Sequence, residues 1–438
     1  MAKQYLDANE QAIYNIANII KEENIDCDFE WQDNYIFTQK EDEVIKIKKE
    51  LEAVKLLGLN SELIDKIDIP IKVQKNNEVK DEIIGKENKR INIQKPILAA
   101  IKFQKQAQFN SYKYMLGLAD AIVTKNGGVI YENSKVIDVK KDDDKYIIKT
   151  ENSSVNAKFV IIASHYPIVN FPGFYFMKMY QETSYLIAVE TNKELFNGMY
   201  INSEEPSISL RTAIYNGKRI LLVGGMKHKT GAKIDLENAY KNLEKVAKDL
   251  YPDCKVLFRW NTEDCIPLDK IPYIGEFSNL MPNIFVGTGY KKWGMTSSNV
   301  AANIITDKIL GKDNKYEEVF NSKRLKPIKN YEELTNMVKE VGNSLVINRL
   351  RKNDEHLENV KKDEGKIIEI DKEKIGVYKD KEGNIYAIKP YCTHLGCELS
   401  WNNLDKTWDC PCHGSRFNYQ GKNIYNPAIK DLEVFDIN

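Results

Sequence analysis

Four cysteines and two histidines crowd the carboxyl-terminal end of this chain, in the runs Cys392-Thr393-His394-Leu395-Gly396-Cys397 and Cys410-Pro411-Cys412-His413-Gly414-Ser415. Reduced to its donors, the pattern is Cys-x-His, a fifteen-residue gap and Cys-x-x-His. Two thiolates and two imidazoles on two short loops can hold a metal centre. The mixed set has a redox consequence: thiolates stabilise ferric iron, whereas neutral imidazoles leave a centre less negative and easier to reduce. Zn²⁺ also accepts two cysteines and two histidines, but zinc fingers group the cysteines together and the histidines together. Here the two types alternate within each loop. The other cysteines, Cys27, Cys254 and Cys265, are scattered.

Such loops need a rigid support. After Glu364-Gly365 the sequence changes to short apolar strands at 367–370, 375–378 and 385–388, separated by Gly, Asn and Asp turns, the pattern of a small all-β module. With both loops included, this segment closely resembles the Rieske family over the last seventy-five or so residues. The resemblance implies that Cys392 and Cys410 ligate one iron of a [2Fe-2S] cluster and that His394 and His413 ligate the other. It also implies a disulfide between Cys397 and Cys412, a hydrogen bond from Ser415 to a bridging sulfide, and a covering loop at Asn426-Pro427-Ala428. High-potential members carry a tyrosine where this chain has Phe417, so the expected potential falls in the lower part of the roughly −150 to +300 mV range of such centres.

A longer and weaker signal precedes the module. Residues 159–163 form an apolar run ending in Ala163-Ser164, and 283–289 form another, followed by Tyr290-Lys291-Lys292-Trp293-Gly294-Met295-Thr296 and a helical pattern over 297–310. A strand that turns into a helix start offers unpaired backbone N–H groups, which stabilise nearby negative charge. Helical spacing also marks 13–20, 44–54, 112–125 (stopped by Asn126-Gly127-Gly128) and 235–250. Strands are expected at 129–131, 136–139, 146–149, 185–190, 207–213 and 219–224, with 140–145 as a charged turn and 61–95 as surface strands and turns.

Order and spacing over residues 1–312 resemble the FAD-dependent amino-acid-oxidase-like family, in particular members with a C-terminal Rieske domain. By that resemblance Gly287, Gly289, Gly294, Met295 and Thr296 lie against FAD. There is one departure. The Gly-x-Gly-x-x-Gly fingerprint that cradles the ADP half of FAD is absent, and the first glycine is Gly58. The expected fold is therefore an α/β (α+β) FAD-oxidoreductase-like large domain, N-terminally incomplete, plus a small all-β Rieske domain. Its bounds are 1–325 and 354–438, with a helical linker at 326–353. The missing cradle argues against tight FAD binding and for an exposed sheet edge.

Composition sets the outer limits. The 438 residues are 42% hydrophobic and 29% charged, and 64 basic residues balance 64 acidic ones. The hydrophobic share suits a globular chain, and the charge balance argues against general nucleic-acid binding. No stretch has the roughly 20 apolar residues of a membrane-spanning helix, and no signal-peptide pattern opens the chain. A cytoplasmic redox protein is expected, taking electrons from a small-molecule substrate linked to a flavin and passing them singly through the cluster. Its electron donor, acceptor and catalytic residues are not identified by the sequence. The alternative is a flavin-free Rieske electron carrier or redox-responsive binding protein with a vestigial flavin domain. His165, His228 and Trp293 each have an ordinary structural reading beside a site role.

Overall fold

The structure, a computed structural model, describes residues 1–71, 83–84, 88–89, 93–232, 237–324 and 356–436. The expected linker at 326–353 and much of 61–95 lie outside the described residues. Two compact units emerge: Met1–Ile130 with Ser184–Lys227 and Glu237–Thr262, and Tyr131–Thr183 with His228–Leu236 and Glu263–Asn438.

The first unit is organised on an eight-stranded sheet whose neighbours include Met199–Asn202, Glu30–Thr38, Ala99–Gln108 and Ser61–Ile64. Its helices are amphipathic and bury one face each. Helix Glu41–Leu56 packs Ile47 and Leu51 on Ala99 and Ile101 of the sheet. Helix Ala2–Glu22 contributes Ile16 to a cluster with Cys27 and Tyr114. The third helix, Ser111–Thr124, starts where the Asn110 side chain accepts the Lys113 N–H at 3.2 Å, satisfying one donor left over at the first turn.

The second unit contains a meander of Val136–Asp142, Lys145–Thr150 and Ser154–Ala157, and a three-stranded sheet ordered Tyr273–Ser278, Met281–Thr288, Val160–Ile162. The last two strands run parallel, pairing Ile284 with Val160 and Val286 with Ile162. Helix Gly294–Ile309 buries Val300, Ala301, Ile304 and Ile305. Downstream, two four-stranded antiparallel sheets form the small β module: Glu364–Ile370, Glu373–Lys379, Ile385–Ile388 and Val434–Phe435, then Ser400–Asn402, Thr407–Asp409, Arg416–Asn418 and Asn423–Tyr425.

Most expected elements are present, with three local corrections. Residues 129–131 are not a strand; Val129 and Tyr131 are about 70% exposed (69% and 70%), so no sheet receives them. The charged turn is tighter than 140–145, because the hairpin pairs through Asp142 and Lys145 and turns at Asp143-Asp144. The helix expected from 297 starts at Gly294, as the backbone already turns at Trp293.

Candidate metal centre

The two cysteine–histidine loops share one backbone design. In the first, the Gly396 N–H donates to the Cys392 carbonyl at 2.8 Å, and the Cys392 N–H donates to the Cys397 carbonyl at 2.8 Å. In the second, the Gly414 N–H donates to the Cys410 carbonyl at 2.9 Å and the Cys410 N–H to the Ser415 carbonyl at 2.8 Å. Each loop thus places a glycine four residues after its first cysteine, at φ of 82° and 79°. That left-handed conformation explains the residue type.

The loops place Cys392 and Cys410 in one core with Ile388, Leu399, Trp408, Phe417, Ala428 and Leu432. Cys397 and Cys412 form a disulfide that ties one loop to the other. The histidine rings meet edge to face with centroids 5.1 Å apart. Cys392, Cys410 and His413 are 3%, 1% and 2% exposed, so water is kept from the donors.

Electrostatics hold both histidines in the form that can bind a metal. Burial lowers the His394 pKa to about 4. Burial, with the charges of His394 and Lys229 adding, lowers that of His413 to about 3. Both rings are therefore neutral at pH 7 and able to donate a lone pair. The Cys392 and Cys410 thiols share a hydrogen bond, which lowers the Cys392 pKa and raises that of Cys410. Backbone groups of His394 and Leu395, and the Ser415 hydroxyl, also hydrogen-bond Cys392. Backbone groups of Cys412 and His413 do the same for Cys410.

A [2Fe-2S] cluster fits these residues on a specific observation. The Nδ1 atoms of His394 and His413 are buried and lack a hydrogen-bond partner, a costly arrangement unless something binds them. Two neutral imidazoles and two thiols are the donor types of a Rieske centre.

Residues far away in sequence complete the surroundings. Asn170 Oδ1 lies 2.6 Å from His394 Nε2, and the Phe176 ring lies edge-on to His394 and His413 at 6.2 and 5.9 Å. The Gln181 amide donates to the Asn426 carbonyl at 2.9 Å, and the Asn426 amide donates to the Ser164 carbonyl at 3.1 Å. Arg416 binds Asp409 at 3.0 Å and Asp405 at 2.6 Å, and also pairs with Glu263. Spacing could not reveal Asn170, Phe176, Gln181 or Glu263. The one local hint was the aromatic density of Phe171-Pro172-Gly173-Phe174-Tyr175-Phe176.

The expected flavin contacts are mixed in character. A side chain at Gly287 would meet Tyr290 and Ala301, and one at Gly289 would meet Pro267, so protein packing already accounts for both glycines. Gly294 faces open space at the helix start, beside the exposed Trp293 and Met295. Thr296 follows in the first turn. His165 is half-buried and its carbonyl accepts from Thr288 Oγ1 at 2.5 Å, while its ring meets Tyr425 edge-on at 5.8 Å. His228 Nδ1 bonds the Lys229 carbonyl at 2.9 Å, a structural role.

Fold and site together define a redox protein of two parts. The chain belongs to the FAD dependent oxidoreductase family, whose model matches residues 2–308, and carries a Rieske [2Fe-2S] domain matching 352–436. It is 35% identical over 436 residues to YhfW of Bacillus subtilis (strain 168), named as a Rieske 2Fe-2S iron-sulfur protein, covering 100% of this chain and 81% of that one. Its tail is 45% identical over 58 residues to the chloroplastic cytochrome b6-f complex iron-sulfur subunit of Triticum aestivum, 13% of this chain and 26% of that one. Among solved structures, glycine oxidase from Geobacillus kaustophilus aligns with a TM-score of 0.59 at 17% identity, over 73% of this chain and 82% of that one, a likeness of fold. No helix among the described residues is long and apolar enough to cross a membrane.

Proposed function

We propose that this protein is a cytoplasmic oxidoreductase that passes electrons from a flavin-linked small-molecule substrate through a Rieske cluster held by Cys392, His394, Cys410 and His413. When bound, the cluster supplies one-electron transfer and the flavin two-electron oxidation. The thiolates of Cys392 and Cys410 would hold one iron, and Nδ1 of His394 and His413 the other. Backbone groups and the Ser415 hydroxyl around the two sulfurs stabilise their negative charge, and burial excludes water. The observation that carries this reading is the pair of buried, unpartnered Nδ1 atoms on the two loops whose thiols hydrogen-bond each other. A single tetrahedral ion has poorer support. It needs donors within about 4 Å of one another, given metal–ligand bonds of about 2.0–2.3 Å. Among the described residues, the group of three or more donors that converges within 4.8 Å is Cys397, Cys410 and Cys412, two of them tied in the disulfide.

For the flavin, Gly294, Met295 and Thr296 would offer the N–H groups of the helix start, with Gly287 and Gly289 shaping the strand that leads to it. No residue of this sequence offers the Gly-x-Gly-x-x-Gly cradle for the ADP half, so no step is assigned to the flavin. The second reading is a flavin-free Rieske carrier or redox-responsive binding protein. Denaturing the purified protein distinguishes the two. Flavin in the supernatant, with iron and sulfide in equal amounts, supports the oxidoreductase; iron and sulfide without flavin support the carrier.

A further inference from the structure

A short strap of the large domain lies on the outer side of the two histidines. It runs from Asn170 to Met177 and is closed by the Phe174 N–H donating to the Asn170 carbonyl at 2.9 Å. Tyr175 anchors it, buried at 1% exposure against Tyr273 and Phe277. From this anchored turn two groups reach the rings: Asn170 Oδ1 lies 2.6 Å from His394 Nε2, and the Phe176 backbone hydrogen-bonds the His413 ring. Both Nδ1 atoms remain without partners, so these contacts fall on the opposite nitrogens.

We infer that this strap is the positioning cap of the cluster, with Asn170 as its principal residue. The inference rests on the ligand assignment proposed above. An amide oxygen at Nε2 accepts that nitrogen's proton, leaving the Nδ1 lone pair for iron. The reverse amide orientation would put the ring proton on Nδ1, a buried donor with no acceptor. A hydrogen bond of this kind fixes the ring plane and makes the imidazole a stronger electron donor. The same contacts cover the outer nitrogens, so an external reactant cannot reach either imidazole edge without moving the strap.

The test uses the full-length, cluster-loaded protein and diethyl pyrocarbonate, which acylates accessible neutral imidazoles, with mass-spectrometric mapping of each histidine. His356 is exposed and serves as the internal reference. In the wild type, His394 and His413 should be acylated much more slowly than His356; equal rates at His394 and His356 overturn the proposal whatever any variant does. Asn170→Ala should speed acylation of His394 about tenfold, about 1.4 kcal/mol, and raise the cluster potential. Asn170→Asp, which keeps an oxygen acceptor, should restore protection and lower the potential. An Asn170→Ala protein with an intact cluster spectrum, unchanged potential and protected His394 also overturns it. Failure of the ligand assignment shows separately, as a wild type that loads no Rieske cluster.

Discussion

At the scale of single residues, the candidate donor motif was legible because its members lie within 22 consecutive positions, and alternation of thiol with imidazole is an uncommon pattern. Asn170 was not legible: it meets His394 across 224 residues, a separation that no spacing rule reaches. Phe417 illustrates what one missing atom does. It is fully buried in the core that includes Cys392 and Cys410 and offers no hydroxyl. Phe417→Tyr should raise the cluster potential by roughly 40 mV if the new hydroxyl reaches a ligand sulfur, since a hydrogen bond contributes about 1 kcal/mol and a one-electron couple shifts 59 mV per tenfold. Protein-film voltammetry reads this directly, and a shift to lower potential would contradict it.

At the scale of elements, strand Arg416–Asn418 is held to its surroundings by charge as well as by its ladder. Arg416 is 5% exposed and faces Asp409, Asp405 and Glu263. Its pKa is raised above the usual range: burial opposes the charge, but the three carboxylates outweigh it. Arg416→Met would leave those carboxylates buried without a cation, at a cost of about 3–5 kcal/mol. The loss should be largest near neutral pH. Burial already raises the Glu263 pKa in the native protein, and without Arg416 it rises further. A carboxyl with a raised folded pKa adds stability below its unfolded value and loses it as pH rises through the folded one. Thermal melts of the variant should therefore improve on acidification toward pH 5 relative to wild type, and a deficit that grows toward pH 5 would refute the network. Three strands of this module, at 367–370, 375–378 and 385–388, were readable as short apolar runs between turn residues, whereas Arg416–Asn418 was not. The long-range ion pairs were not, because each partner alone looks like an ordinary surface charge.

At the scale of the molecule, the β module and the residues around it form one compact unit, and close backbone approach sets its packing. A side chain at Gly414 would lie 2.6 Å from Gln181 Cβ, and one at Gly231 would lie 2.6 Å from the Pro411 nitrogen. Gly414→Ala should lower cluster occupancy and melting temperature together, since it combines that clash with an unfavourable φ. In the same unit, strand Val160–Ile162 pairs on one side among the described residues, and Ile161 is 52% exposed. An open edge with an apolar residue promotes association. Ile161→Lys should reduce light scattering at high protein concentration, and an unchanged signal would show that this edge is harmless. The family, and the joining of an FAD-oxidoreductase-like domain to a small all-β Rieske domain, were readable in the sequence. The strap over the histidines depends on tertiary packing alone and was not.

The most direct test of the cluster assignment is pulsed electron paramagnetic resonance on the reduced, full-length protein, uniformly enriched in ¹⁵N. Two inequivalent imidazole nitrogens coupled to a reduced [2Fe-2S] centre are predicted, with one coupling lost in each of His394→Cys and His413→Cys. A signal without histidine nitrogen coupling, or a colourless protein holding one zinc ion, would contradict the account.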